Sequence, residues 1–389
     1  MNSLPKLLEI FLISFKLGCT SFGGPTAHLG FFQIEYVQKR KWLSDKEYSN
    51  LVALSQFLPG PASSQVGMGI GLLRGGLLGS LASFLGFTLP SVLLLTLFAY
   101  FYSHLEIDMG WIQGLKLVAV AIVAQAIWDM SKKLIPSVVH LIIAILALLT
   151  LQFWGNPFAQ VTVIALAALI GARLFKQTNG VDDTAQKNLP ISKTTGGLLL
   201  ALFAMLMIAL PIANSFVKDD LLTIIEKCYL AGALVFGGGH VVLPLLETQF
   251  VQSGLMSASD FIAGYGLTQA VPGPLFTFAS YIGMVIAGVP GAVVATIAIF
   301  LPAFLLIVGA MPFWLTMSRH VALKGAMAGA NAAVVGILAS AFIHPIVTQT
   351  ILSGLDILLA AIFLLLSLRW AVPPYILVVL GIIVGLLCY

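Results

Sequence analysis

The stretch Leu54-Ser-Gln-Phe-Leu-Pro-Gly-Pro61 returns later in the chain as Leu267-Thr-Gln-Ala-Val-Pro-Gly-Pro274. The Phe22-Gly-Gly-Pro25 that precedes the first copy returns as Phe236-Gly-Gly-Gly239 ahead of the second, with the spacing between motifs kept to within a residue. Downstream, Gly76, Gly79 and Pro90 align with Gly288, Gly291 and Pro302, and Gly114-Leu-Lys116 aligns with Gly329-Ala-Asn331. Chance similarity between apolar helices does not preserve an ordered set of Gly, Pro and Gln positions. The chain reads as an internal duplication.

Composition sets the environment of the two copies. Of 389 residues, 59% are apolar and only 9% are charged, against about 25% charged in an ordinary soluble domain. So little polar surface does not clothe a water-soluble exterior, whereas the apolar residues suffice for on the order of a dozen membrane-spanning helices. The segment 141–151 is apolar on every face, which fits helices and not the alternating strands of an outer-membrane barrel. Glu9 and Lys16 interrupt the first apolar run and no small-residue cleavage site follows, so the N-terminus reads as mature protein.

Apolar runs lie near 7–36, 48–74, 76–102, 111–130, 134–153 and 157–175, then 195–217, then 221–251, 261–288, 291–316, 322–343, 348–368 and 372–389. The polar stretch 176–193 is the one linker-like composition. The expected fold is an all-α polytopic integral membrane protein, two inverted repeats with Gly/Pro-broken helices and about 10–13 transmembrane segments. Residues 1–175 form the first repeat, 176–220 a cytoplasmic linker plus one connecting span, and 221–389 the second repeat. That unpaired span makes the second copy enter the bilayer from the opposite side, the arrangement many transporters use to exchange inward and outward access.

Positive charge near short loops orients the chain. With the N-terminus in the cytoplasm, Arg74, Lys132, Lys133, Arg173, Lys176, Arg319, Lys324 and Arg369 fall inside, while Glu106, Asp108, Asp219 and Asp220 fall outside. One loop disagrees: Lys39-Arg40-Lys41 faces outward if 7–36 and 48–74 are simple crossings. It returns to the cytoplasm if each run bends back at its Gly/Pro break as a re-entrant hairpin.

Helices broken at corresponding places in two halves are the best sequence pointer to a transport site. Glycines at Gly23-Gly24 and at Gly237-Gly238-Gly239, and the Pro-Gly-Pro turns around Gly60 and Gly273, release the backbone from helical geometry. A helix restarting after such a break presents unpaired N–H groups and partial positive charge. Thr26 and His28 follow the first break, and Ser63, Ser64 and Gln65 the second. His240 and Thr277 occupy the matching stretches of the other half. Neutral donors of this kind suit a small tetrahedral oxyanion. Gln56 and Gln269, three residues ahead of the prolines, serve either the ligand or the carbonyls freed by the kink.

Ionisable groups inside the membrane are functional candidates by default. Lys116 and its mate Asn331 are placed to face a cavity, although snorkelling accounts for Lys116 equally well. Glu247 is the candidate carrier of a coupling proton, and Arg74 either attracts an anion or anchors its helix. The ordinary reading of His28 and His240 is packing, and that of the span-end aromatics is an interface belt. Cys19, Cys228 and Cys388 show neither disulfide nor zinc spacing. Neither a catalytic constellation nor a metal set is visible, the scattered lysines and arginines give no nucleic-acid footprint, and no GxxxxGK[ST] loop marks a primary pump.

The pairing of Phe22-Gly-Gly-Pro25 with Gln56-Phe-Leu-Pro-Gly-Pro61, repeated as Phe236-Gly-Gly-Gly-His240 with Gln269-Ala-Val-Pro-Gly-Pro274, resembles the chromate ion transporter family in its long, two-domain form. The resemblance covers almost the whole chain. It implies a multi-pass protein of the bacterial inner membrane that expels chromate on the membrane potential or proton gradient and confers chromate resistance, with no cofactor. Sulfate has the same shape and charge, so a sulfate importer or exchanger stays open as an alternative, as does an anion channel. The partners expected are chromate or sulfate, the lipid bilayer and a second copy of the chain. Pro25-Thr26 stands where the second half has Gly239-His240, so the two halves need not bind substrate equally.

Overall fold

A computed structural model describes residues 4–104, 110–154, 157–175, 190–217, 219–236, 239–317 and 320–389. Every regular element among them is helical. The first half opens with α1 (Leu4–Thr20), the break around Gly23, and α2 (Gly24–Phe32), which runs on as a π-helical stretch at Gln33–Lys39. This pair folds back on itself. The Ser14 hydroxyl lies 3.0 Å from the Tyr36 hydroxyl and Arg40 lies 3.5 Å from the Glu9 carboxylate, so residues far apart along the chain sit side by side across the tip.

A second hairpin follows. Helix α3 (Asp45–Phe57) starts at a capping box between Ser44 and Glu47 and ends before Pro59, where a proline removes a donor and forces extended backbone. The chain returns in the first limb of α4 (Ala62–His104). A Cβ on Gly69 would lie 2.6 Å from Leu51, which shows how closely the two limbs pack. At the far end of that limb Gly75 and Gly76 leave helical geometry, Gly76 at φ 62°, ψ −158°. Only glycine adopts this without strain, and the chain reverses there: Gly71 packs against the Gly79 backbone, and Ser83 donates to the Gly67 carbonyl at 2.8 Å. The remainder, 77–104, runs through the molecule. It is followed by α5 (Gly110–Leu134), α6 (Val138–Phe153), α7 (Pro157–Leu174) and, beyond the linker, α8 (Lys193–Val217).

The second half repeats the plan. Helices α9 (Asp220–Ala233) and α10 (Val242–Phe250) form the third hairpin, with Lys227 3.5 Å from Gln249. Helix α11 (Ala258–Thr268) and the first limb of α12 (Phe278–Ala310) form the fourth, held by Tyr281 donating to the Asp260 carbonyl at 3.1 Å. Helix α12 reverses at Ala287 and Gly288 with almost the dihedral angles of Gly75 and Gly76, Gly288 at φ 62°, ψ −153°. After the short α13 (Trp314–Met317) come α14 (Val321–Ala341), the short α15 (Thr348–Thr350), α16 (Gly354–Trp370) and α17 (Pro374–Cys388).

Helix partners obey an approximate two-fold. Helix α1 packs on α4 as α9 packs on α12, and α4 and α12 meet in the centre. Helix α5 is held by α16 and α17 of the other half, while α14 is held by α6 and α7. The approach is close because glycines line it: Gly110 and Gly114 abut the Gly385 and Gly381 backbones, and Gly325 and Gly329 abut Gly171 and Ala167. Helices gain little from hydrophobic association in lipid and rely on such small-residue contacts. The lipid-facing side is apolar. Leu198, Met205, Ile208, Ile212 and Phe216 of α8 are exposed, and among the described residues five helices are long and apolar enough to cross a bilayer.

The hairpins resolve the discordant basic loop. Glu35 pairs with Arg40 at 2.9 Å and with Lys39 at 3.7 Å, Glu9 lies 3.5 Å from Arg40 and 3.9 Å from Arg74, and Arg74 stacks over Trp42 at 5.0 Å. Residues 39–41 therefore share one end of the molecule with the start of α1 and the turn after Arg74, hereafter the basic end. Arg74 anchors that end.

Candidate functional site

The four breaks meet. The Gly60 amide donates to the Val235 carbonyl at 2.7 Å, and the Gly273 amide donates to the Ser21 carbonyl at 2.9 Å. Each hairpin tip of one half thus satisfies a peptide group of the other, which matters because unwound backbone inside hydrocarbon finds no water. Side chains complete the bracing: Gln65 donates to the Pro59 carbonyl at 2.8 Å and Ser91 to the Pro272 carbonyl at 2.7 Å.

Beside the tips lies a cavity of about 430 Å³. Its inner wall is Gly23, Gly24 and Pro25 from the first tip, Gly239 and His240 from the third, and Gln269 and Gly273 from the fourth. Its outer wall is Gln125, Asp129 and Lys133 of α5 with Ser367 of α16. Asp129 and Lys133 are exposed at the C-terminal, basic end of α5, so the cavity leads from that end to the breaks. Helix α2 starts at the cavity wall with no side-chain cap, leaving first-turn amides for a ligand. Gln269 is buried and its Nε2 has no partner. His240 is held by Tyr265, Nδ1 to hydroxyl at 2.8 Å. Backbone amides, a carboxamide donor and an imidazole therefore converge on one space beneath a lysine.

Other candidates fall elsewhere. His28 and Ser63 are buried, 3.3 Å apart, with His28 Nε2 and the Ser64 hydroxyl lacking partners, in a polar cluster between α2 and α4 outside that cavity. Thr277 spends its hydroxyl on the Pro274 carbonyl at 2.6 Å, closing the turn before α12. Gln56 is exposed, unlike its repeat mate Gln269. Lys116 lines a separate cavity with Gln113, Ser259 and Asp356 near the opposite end, and the breaks do not contribute to it. Asn331 is half-buried on α14 with its Oδ1 unpartnered. Glu247 is buried in a third cavity, accepting from Gln252 at 3.1 Å and Thr248 at 3.3 Å. Thr26 is described only through its backbone, and Gly237 and Gly238 lie outside the described residues.

Sequence reasoning passes over Gln125, Asp129, Lys133 and Ser367. Gln125 and Ser367 were visible only as polar residues inside apolar runs, and Asp129 and Lys133 look like an ordinary solvated span end. Among the described residues no group of three His, Cys, Asp or Glu side chains could hold a metal ion.

Comparison with known proteins follows the same outline. A family model described as chromate transporter matches residues 8–172 and again residues 222–386. The chain is 28% identical over 351 residues to a probable chromate transport protein of Synechococcus elongatus, covering 88% of this chain and 84% of that one. It is 28% identical over 312 residues to the chromate transport protein of Pseudomonas aeruginosa, covering 78% and 71% respectively. It is 27% identical over 346 residues to an uncharacterized transporter of Methanocaldococcus jannaschii, covering 87% and 84%. No solved structure matches the chain.

Proposed function

We propose, on the premise that this chain belongs to the chromate transporter family, that it is a secondary-active carrier expelling chromate from the bacterial cytoplasm across the inner membrane. The observation that carries this reading is the mutual bracing of four helix breaks, three of which line a cavity reached from the basic end. In the orientation set by the positive charges, that end is cytoplasmic. Chromate would be held between the α2 amides, Gln269 and His240, with Gln125 and Ser367 on the facing wall. Directed peptide dipoles and neutral side chains stabilise a dianion without a cage of opposite charges, so it leaves as readily as it arrives.

The inverted halves support alternating access, because exchanging the conformations of two pseudo-symmetric halves moves the opening from one face to the other. Energy comes from the membrane potential or the proton gradient, with Glu247 as the group assigned to the proton. Inside-out vesicles test the reading. Those carrying the protein accumulate chromate in proportion to an imposed gradient, and sulfate competes; accumulation indifferent to both protein and gradient would count against export.

A further inference from the structure

We propose a second oxyanion subsite, built on Gln152 and Ser340, in the cavity of about 340 Å³ that also contains Glu247. It lies at the opposite end from the tip cavity. Gln152 is near the C-terminal end of α6, Lys133 is near that of α5, and these are consecutive antiparallel helices. Ser340 likewise closes α14, the repeat mate of α5.

The two cavities share one piece of chemistry. In the tip cavity the Ser367 hydroxyl of α16 bonds the Gln125 carboxamide of α5. In the far cavity the Gln152 carboxamide of α6 donates to the Ser340 hydroxyl and carbonyl of α14, each at 3.1 Å. Gln125 and Ser340 occupy the same register, eleven positions beyond Gly114 and Gly329. Gln152 and Ser367 lie in the last turns of the equivalent α6 and α16. The halves have therefore exchanged which helix supplies the amide and which the hydroxyl, while keeping the pair at both cavity walls. Gln152 is exposed, so burial does not oblige it to find a partner. The far cavity also gathers Gln160, Gln252 and Gln349, in a chain poor in polar residues. Gln160 spends its amide on the Pro244 carbonyl and the Thr248 hydroxyl and Gln252 donates to Glu247, so the donors facing the space for a ligand are Gln349 and the Ser340 hydroxyl.

The ligand class is a small tetrahedral oxyanion, the same that the tip cavity is proposed to take, and the inference rests on that transport reading. The difference is charge. Lys133 stands with Asp129 at the tip cavity, whereas the Glu247 carboxylate faces the far one. A dianion beside a carboxylate is held weakly, which suits a site of discharge.

Anion exchange in preloaded vesicles at equal pH on both sides tests this, using chromate and sulfate in inside-out and right-side-out orientations. Gln152→Leu combined with Ser340→Ala raises the half-saturating concentration from the far side by about fivefold and leaves the basic side within about twofold. Glu247→Gln lowers the far-side value, a gain that misfolding does not produce. Far-side values unmoved by either variant, or moved equally on both sides, overturn the subsite. Wild-type vesicles that exchange neither anion in either orientation overturn the transport reading instead.

Discussion

The amide of Gly60 is bonded to the carbonyl of Val235 at 2.7 Å, across the boundary between the two halves of the chain. Its mirror, Gly273 to Ser21, is 2.9 Å long. Two of the four tips are thus donors and two are acceptors, and each bond joins a Pro-Gly-Pro turn to a glycine-rich break. The tips form one brace at the centre of the molecule, so rearrangement of one half against the other has to pass through these bonds.

Gly60 and Gly273 carry the brace at φ 119° and φ 98°, where an L-residue costs about 1–3 kcal/mol. Their surroundings separate them. A Cβ at Gly60 meets the flexible end of Gln65 at 3.1 Å and Ala303 at 3.4 Å, whereas one at Gly273 collides with the Ser91 hydroxyl. Gly273→Ala is therefore the more damaging of the two, and adding Ser91→Gly recovers part of the loss while the backbone strain persists. Melting of the detergent-solubilised protein and chromate flux measure both effects; equal damage at the two sites would show that strain alone decides.

Gly24 separates backbone from space in another way. It has φ 76° and nothing within 4 Å of a Cβ, so substitution costs only conformational energy. Asn visits this region more readily than other residues, and a β-branched residue hardly at all. Gly24→Asn loses less thermal stability than Gly24→Val, by about 1 kcal/mol, as read from denaturation midpoints. Matching midpoints would remove the backbone argument at this tip.

Much of the architecture is legible in the sequence, and the rest is hidden for physical reasons. The reversal at Gly76 and Gly288 demands a left-handed residue at the same place in both copies, so glycine marks it twice. The Pro-Gly-Pro turns are equally visible. Their consequence is not, because a kinked crossing and a folded-back hairpin share the same prolines and the same apolar limbs. The contact between Leu51 and Gly69 distinguishes them, and it exists only in three dimensions. Gln56 and Gln269 stand in matching motifs, yet one is exposed and the other faces a cavity, since the first, third and fourth tips line that cavity and the second does not. Asp129 and Lys133 acquire their place at a cavity mouth from the packing of α5 beside the tips, which no local pattern records.

That asymmetry between the glutamines predicts unequal phenotypes. Gln269 is 8% exposed with its Nε2 unpartnered against the tip cavity, so Gln269→Ala removes a donor aimed at the anion. The loss of about 0.5–1.5 kcal/mol expected for a neutral hydrogen bond raises the half-saturating chromate concentration from the basic side several-fold. Gln269→Glu is worse, because it adds a like charge. Gln56→Ala moves the value less than Gln269→Ala does. Concentration-dependent uptake into inside-out vesicles makes the comparison, and a larger effect at Gln56 would place the ligand on the other side of the brace.

The union of the halves is tested at Gly114 and Gly329. A side chain at Gly114 runs into the Gly381 backbone, and one at Gly329 into the Ala167 backbone. Neither obstacle is a flexible side chain that can swing away, so relief requires a helix to move. Gly114→Leu and Gly329→Leu each destabilise at or above the upper end of the usual overpacking range of about 1–3 kcal/mol. Because the two sites are equivalent contacts of α5 and α14 with helices of the opposite half, their losses are similar. Gly197→Ala on the peripheral α8, where nothing lies within 4 Å, gains about 0.5–1 kcal/mol from helix propensity and serves as the control. Detergent melting of the three variants gives the comparison; a benign Gly114→Leu would mean that α5 and α17 do not touch along this face, and the exchange of helices between halves would have to be abandoned.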